Sequence, residues 1–275
     1  MASTRSRVRE SIDLPDVRPD LRVSFLGDSY VAGFGDAEHR GWVGRVAAWA
    51  HVIGFPVTVY NLGVRRDTSA DVRSRWQDEL RVRSGDGGEP RLVLSFGVND
   101  TSARGGGGRR PTRVALDRSV GNLVAILDGA AAAGIPTLMV GPPAVTDEEH
   151  DERIATIDER FASACVARGV PYVAVFERLH ADPVWRADIE SGDGVHPTST
   201  GYDRLARLVV GPWCEWLAGG PGTVRTVPER AVPERTVPER AVPERTVRPT
   251  AGGAARPTPA RTVRAAPEAA AQTDE

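Results

Sequence analysis

LRVSFLGDSYVAGFGD, residues 21–36, runs from apolar and β-branched side chains straight into a glycine-containing turn. A near-continuous apolar run of this length that stops at glycine reads as a parallel strand buried on both faces. Four further runs have the same character: PVTVYNLG from Pro56, RLVLSFG from Arg91, IPTLMVG from Ile135 and VPYVAVF from Val170. Helical periodicity fills the gaps. Trp42, Val46, Trp49 and Ile53 recur at spacings of three and four, which predicts a helix over 42–53 with Trp42 and Trp49 in the core. Leu116, Val120, Leu123 and Leu127 do the same within 114–133, as do Ile157, Phe161 and Ala164 within 154–167, and a last helix spans 202–217. Strand and helix in turn give an α/β domain with a doubly wound sheet and right-handed crossovers.

The chain divides into an N-terminal arm (1–19), this domain (20–218) and a tail (219–275). From Thr226 the tail reads TVPERAVPERTVPERAVPERTV, a five-residue repeat with proline in every copy. Proline removes amide donors, the charges nearly cancel and one valine per repeat cannot build a core, so a disordered tail with polyproline II character is expected.

Composition narrows the function. The net charge of −2 gives no basis for a nucleic-acid partner. Every basic side chain is arginine, which excludes chemistry that needs a lysine amine, Schiff bases and the Walker A grip among them. Cys165 and Cys214 stand far apart without metal-ligand spacing, so neither a disulfide scaffold nor a zinc site is expected. The first twenty residues hold no apolar run of signal-peptide length and no later run is long enough to span a membrane, so the expected location is cytoplasmic.

Open α/β sheets bind ligands beyond the carboxyl ends of their strands. Those ends carry Gly27-Asp28-Ser29, Asn61-Leu62-Gly63 and Gly97-Val98-Asn99-Asp100, with DGVHP at 193–197 after the last strand. The set matches what acyl transfer requires. A serine hydroxyl needs an imidazole to take its proton, and the imidazole needs a carboxylate to fix its tautomer. Asp193 and His196 lie one turn apart, so His196 can face Ser29 while Asp193 holds its other nitrogen. The amides of Ser29 and Gly63 and the Asn99 side chain would then hold the negative oxygen of the tetrahedral intermediate. Ser29 alone reads as a helix cap, and Asn99-Asp100 and Asp193-Gly194 alone as turns; the argument rests on their joint occurrence.

The ordered blocks GDS, Gly63, GVND and DGVHP resemble those of the SGNH hydrolases, or GDSL-type esterases and lipases, over Leu21 to Ala218. The resemblance implies a flavodoxin-like three-layer α/β/α sandwich with a five-stranded parallel sheet in the order 2-1-3-4-5. It also implies serine esterase chemistry on a small-molecule ester with no metal or cofactor, the candidates being lysophospholipids, acetylated sugars and acyl thioesters. In it Ser29 is nucleophile and oxyanion donor, Gly63 and Asn99 are oxyanion donors, His196 is the base and Asp193 orients it. Tyr30 stands where the family name has leucine and is expected to shape the pocket mouth, while Asp28 is expected to hold the turn. The loop 101–113, TSARGGGGRRPTR, is a candidate lid or anion attractor, and TDEEHDE at 146–152 reads as a solvated helix start. Two other classes stay open: a flavodoxin-like phosphate- or nucleotide-binding module without hydrolase activity, and an interaction protein working through its repeat tail.

Overall fold

The computed structural model describes residues 20–85, 87–103 and 111–219. The N-terminal arm, residues 220–275 of the repeat tail and the centre of the glycine-rich loop, on which three of the expectations above rest, lie outside the described residues.

Five parallel strands form one sheet in the order β2-β1-β3-β4-β5. They are β1 (Leu21–Gly27), β2 (Val57–Gly63), β3 (Glu89–Ser95), β4 (Thr137–Val140) and β5 (Tyr172–Val173). Helices α1 (Ser29–Ala32) and α2 (Gly41–Val52) follow β1, and α3 (Ser69–Ser84) follows β2. After β3 come α4 (Val98–Thr101) and α5 (Leu116–Ala132), and after β4 comes α6 (Glu148–Val166). Helices α7 (Phe176–His180), α8 (Pro183–Glu190) and α9 (Ser199–Gly219) complete the domain.

Both faces of the sheet are buried, and the period of two sorts side chains between them. Val23, Phe25, Val93 and Leu138 join a core with α2 and α9. Leu26, Leu92, Leu94 and Met139 join the opposite core with α3, α5 and α6. Phe25 packs between Trp42 and Trp213, with ring centroids 5.5 and 5.2 Å away. Truncating so enclosed a ring to alanine costs about 3–5 kcal/mol.

Two sequence expectations need correction. Trp42 is fully buried, but Trp49 is 43% exposed and Ile53 is exposed with it. The buried stripe of α2 runs through Trp42, Val43, Val46 and Ala50 instead, the face that joins the core shared with β1 and α9. The run from Val170 supplies only two strand residues, since the chain has already turned into α7 by Phe176.

Register positions the site. Gly27 pairs with Gly63 on one side and Ser95 on the other. The loops that leave β1, β2 and β3 therefore start from one line across the sheet. No helix among the described residues is long and apolar enough to cross a membrane.

Candidate active site

The first of those loops decides what Ser29 is free to do. Asp28 takes the N-cap of α1, its carboxylate accepting from the Tyr30 amide at 3.0 Å. The cap is thus supplied by Asp28, and Ser29, at 5% exposure, keeps its hydroxyl for another partner. That partner is His196, whose Nε2 lies 2.8 Å from Ser29 Oγ. His196 Nδ1 lies 2.7 Å from Asp193 Oδ2. The other oxygen of Asp193 accepts from the amides of His196 at 2.7 Å and Val195 at 3.0 Å. Burial works against the charge of Asp193, but these bonds and the imidazole outweigh it and hold the carboxyl below its ordinary range. A hydroxyl, an imidazole and an ionised carboxylate in line can move a proton off the hydroxyl and return it.

The His196 loop is held from several sides. The Tyr30 hydroxyl donates to the Val195 carbonyl, so the residue expected at the pocket mouth lines the cleft as a buried brace. Phe34 meets the imidazole edge-on, 4.8 Å between centroids. Gly35 has φ +95°, and a Cβ there would fall 2.6 Å from the Pro197 carbonyl oxygen, so only glycine allows this approach. Asp36 accepts from Arg45, from the Ser199 hydroxyl and from the amides of Glu38, Arg40 and Gly41. Burial alone would raise its pKa; these donors hold it well below the ordinary carboxylate range.

Asn99 lies on α4 at the cleft. Its Nδ2 donates to the Asp67 carbonyl at 3.0 Å and lies 3.3 Å from Asp28 Oδ2. Burial pushes the Asp28 carboxyl up to about 7 against the Tyr30 amide bond, and the charges of Asp100 and Asp67 push the same way.

Gly63 does not join this group. Its amide donates to Asn61 Oδ1 at 3.1 Å. A Cβ at this position would fall 2.1 Å from the Ala32 amide nitrogen. Gly63 is a packing glycine that lets β2 run against α1, and its place at the cleft is taken by the turn beyond it. There Arg66, a non-glycine residue at φ +72°, lines the cleft with Arg65. No described residue accepts a hydrogen bond from the Arg66 amide.

Ser29, Tyr30, Arg65, Arg66, Asn99, His150 and His196 thus border one cleft of about 250 Å³. Sequence reasoning placed His150 in a solvated helix start. The helix does begin there, capped by Asp147, but the ring turns inward and its Nε2 lies 3.0 Å from the Val98 carbonyl and 3.1 Å from Thr101 Oγ1. Burial lowers its pKa and favours the neutral ring.

The sequence pattern of the GDSL-like Lipase/Acylhydrolase family matches residues 25–204. The chain belongs to that family. Solved structures share the architecture. A lipase/acylhydrolase from Enterococcus faecalis superposes with TM-score 0.58 at 22% identity, covering 70% of this chain and 95% of its own. The esterase EstA from Pseudoalteromonas, in a structure inhibited by monoethylphosphonate, gives 0.56 at 17%, covering 73% and 100%. A mutant acetyl-xylooligosaccharide esterase from Geobacillus gives 0.57 at 16%, covering 76% and 99%. No curated protein matches the sequence. Membership of the GDSL-like family makes this chain a hydrolase, on the α/β fold with sheet order 2-1-3-4-5. Among the described residues, no cluster of three or more His, Cys, Asp or Glu side chains could hold a metal ion.

Proposed function

We propose that the protein hydrolyses short-chain carboxylic esters through an acyl-enzyme on Ser29. The observation that carries this reading is the unbroken line from Ser29 Oγ through His196 to Asp193, at 2.8 and 2.7 Å. Ser29 Oγ attacks the ester carbonyl carbon while His196 Nε2 takes its proton. The carbonyl π pair moves to oxygen, and the tetrahedral anion is met by the Ser29 amide, free at the start of α1, and by the Arg66 amide in the position first assigned to Gly63. Asn99 Nδ2 is the third donor and reaches the anion by giving up its bond to Asp28 or to the Asp67 carbonyl. Each such donor is worth about 3 kcal/mol of barrier. The anion collapses, the C–O bond to the alcohol breaks, and His196 hands its proton to the departing oxygen. Water then repeats the sequence on the acyl-serine and releases the acid. Asp193, ionised and held by two amides, stabilises the imidazolium at each stage.

The volume argues for a short acyl group. About 250 Å³ falls below the roughly 300–1,000 Å³ of drug-sized ligand sites, which favours small acyl esters over lysophospholipids. The test is hydrolysis of p-nitrophenyl esters from acetate to palmitate by the intact protein and by Ser29→Ala. Activity that peaks at acetate to butyrate and disappears in the variant is the expected result. Full activity in Ser29→Ala would remove the serine mechanism, and a maximum at long chains would remove the size argument. Saturable nucleotide binding without hydrolysis of any ester would instead support a phosphate-binding module.

A further inference from the structure

We propose that the esters this protein prefers carry an anionic group on their alcohol portion, bound by Arg65; the proposal rests on the esterase reading above. The first observation is electrostatic. Arg65 and Arg66 both line the cleft, and no aspartate or glutamate does among the described residues. Arg65 and Arg66 have no ion pair with a described residue. The neighbouring acids are already engaged: Asp67 pairs with Arg75 at 2.9 Å and Asp193 with His196. Both residues are exposed, so an anion that enters the cleft meets two positive charges that no described carboxylate neutralises.

The second observation is geometric. The Arg65 guanidinium carbon lies 3.4 Å from the centroid of the Phe34 ring. Stacking fixes the plane of the guanidinium while leaving the N–H groups on its rim free to grip a carboxylate or phosphate with two parallel bonds. Phe34 in turn meets His196 edge-on, so Arg65 stands two ring contacts from the imidazole. In the mechanism above His196 protonates the departing alcohol. The substrate atoms on the His196 side of the cleft therefore belong to the alcohol, and an anion on that portion is the one Arg65 can reach. Of the other lining residues, Asn99, Ser102 and His150 offer no fixed positive charge, burial favouring the neutral His150 ring.

The experiment compares kcat/KM of the full chain and of Arg65→Gln and Arg65→Lys on four esters. Phenyl acetate is the neutral reference. 4-Acetoxybenzoate and 4-acetoxyphenyl phosphate carry the anion on the alcohol, and monophenyl succinate carries it on the acyl group. Each ester is judged by the ratio of wild type to variant, so differences in intrinsic reactivity cancel. Arg65→Gln is expected to lower the two alcohol-side anions about tenfold relative to phenyl acetate, mainly through KM, as loss of one charge-assisted contact predicts. Arg65→Lys is expected to recover part of the loss, and added salt to erode the wild-type preference. The arm with the larger loss tells carboxylate from phosphate. An equal loss on all four esters would show that Arg65 only supports Phe34 and His196, and would overturn the proposal while leaving the esterase intact. A loss confined to monophenyl succinate would overturn the assignment to the alcohol. Hydrolysis of none of the four by wild type would instead overturn the esterase reading, and this proposal with it.

Discussion

Two cavities flank Thr146 and the loop that carries His196, and the larger is the one without a hydroxyl at its imidazole. The second cavity holds about 720 Å³ and is lined by Glu148, Asp151, Glu152, Glu177, His180 and Arg186 among others. It even has its own histidine and carboxylate, with His180 Nδ1 2.6 Å from Asp151 Oδ2, as close as the pair in the cleft. What it lacks is the next atom in line. His180 stacks on Phe176, 5.8 Å between centroids, and no hydroxyl partner is found for it among the described residues. Asp151 spends its other oxygen on the Val145 amide at 2.8 Å, so it ties α6 to the loop after β4 and to α7. Neither size nor a His–Asp contact sets the two cavities apart; the serine freed from capping duty by Asp28 and placed against the imidazole does.

The comparison breaks most visibly if the two histidines are removed in turn. His196→Ala is expected to lower kcat on a short ester by about 10⁴ or more, the scale of losing a member of a serine relay. His180→Ala, in the larger cavity, is expected to change it less than threefold, because half of its side chain is already in solvent. Comparable losses in both would mean that the second pair takes part in the reaction. The next effect in size belongs to Asn99→Ala, expected to lower kcat by about a thousandfold with KM little changed, since an oxyanion donor acts only in the transition state. A rise in KM alone would recast Asn99 as a ground-state contact.

The floors of the two cavities differ in solvation as well, and pH sharpens that contrast. Glu148, Glu152 and Glu177 stand in water, whereas Asp28 is fully buried beneath the cleft with its pKa raised to about 7. In the unfolded chain this carboxyl ionises near 3.8. Between pH 4 and 7 the unfolded state therefore sheds a proton that the folded state retains, and stability falls as pH rises through that window. Asp28→Asn keeps the oxygen that accepts from the Tyr30 amide and removes the titration. Denaturant unfolding of the two proteins should diverge by up to about 4 kcal/mol between pH 4 and 8, the variant being relatively more stable at the alkaline end. Parallel curves would mean that Asp28 ionises at its ordinary pKa.

How far the site can be read from sequence follows from where each signal resides. The run from Leu21 announces β1 because a central strand is apolar on both faces, and Ser29 and Asn99 just past strand ends, with Asp193 and His196 in the loop before α9, suggest chemistry by their joint occurrence and not by any one position. Gly63 misleads because a glycine needed for close packing and one needed for its amide look the same in sequence; only the 2.1 Å approach to Ala32 tells them apart. Arg66 carries no signal of its left-handed backbone, yet one clue was present. Thr68 and Asp71 form a capping box, the Asp71 carboxylate accepting from the Thr68 amide at 2.8 Å, and that pattern fixes the start of α3. Residues 64–67 are then the loop at a strand's carboxyl end, where ligands bind. His150 was hidden because its acidic neighbours describe the solvated side of α6, while its inward contacts with Val98 and Thr101 come from tertiary packing. Trp49 fails for the complementary reason, since a spacing of three or four is shared by more than one stripe of a helix and only packing selects which is buried.

The smallest effect tests whether the two cavities are independent. Thr146 lines the acidic one, and its amide and hydroxyl both donate to the Gly194 carbonyl, at 2.9 and 3.1 Å. Gly194 lies between Asp193 and His196, so the wall of the large cavity is also a brace for the loop that carries His196. Thr146→Val keeps the shape and the amide bond and deletes one hydrogen bond, which costs about 1 kcal/mol of stability. The imidazole keeps its contacts with Tyr30, Phe34 and Asp193, so kcat is expected to fall only two- to fivefold, with KM unchanged. A fall of a hundredfold at the same stability loss would show that the loop is held mainly from the acidic side. Binding in the larger cavity could then reach the reaction through a single threonine.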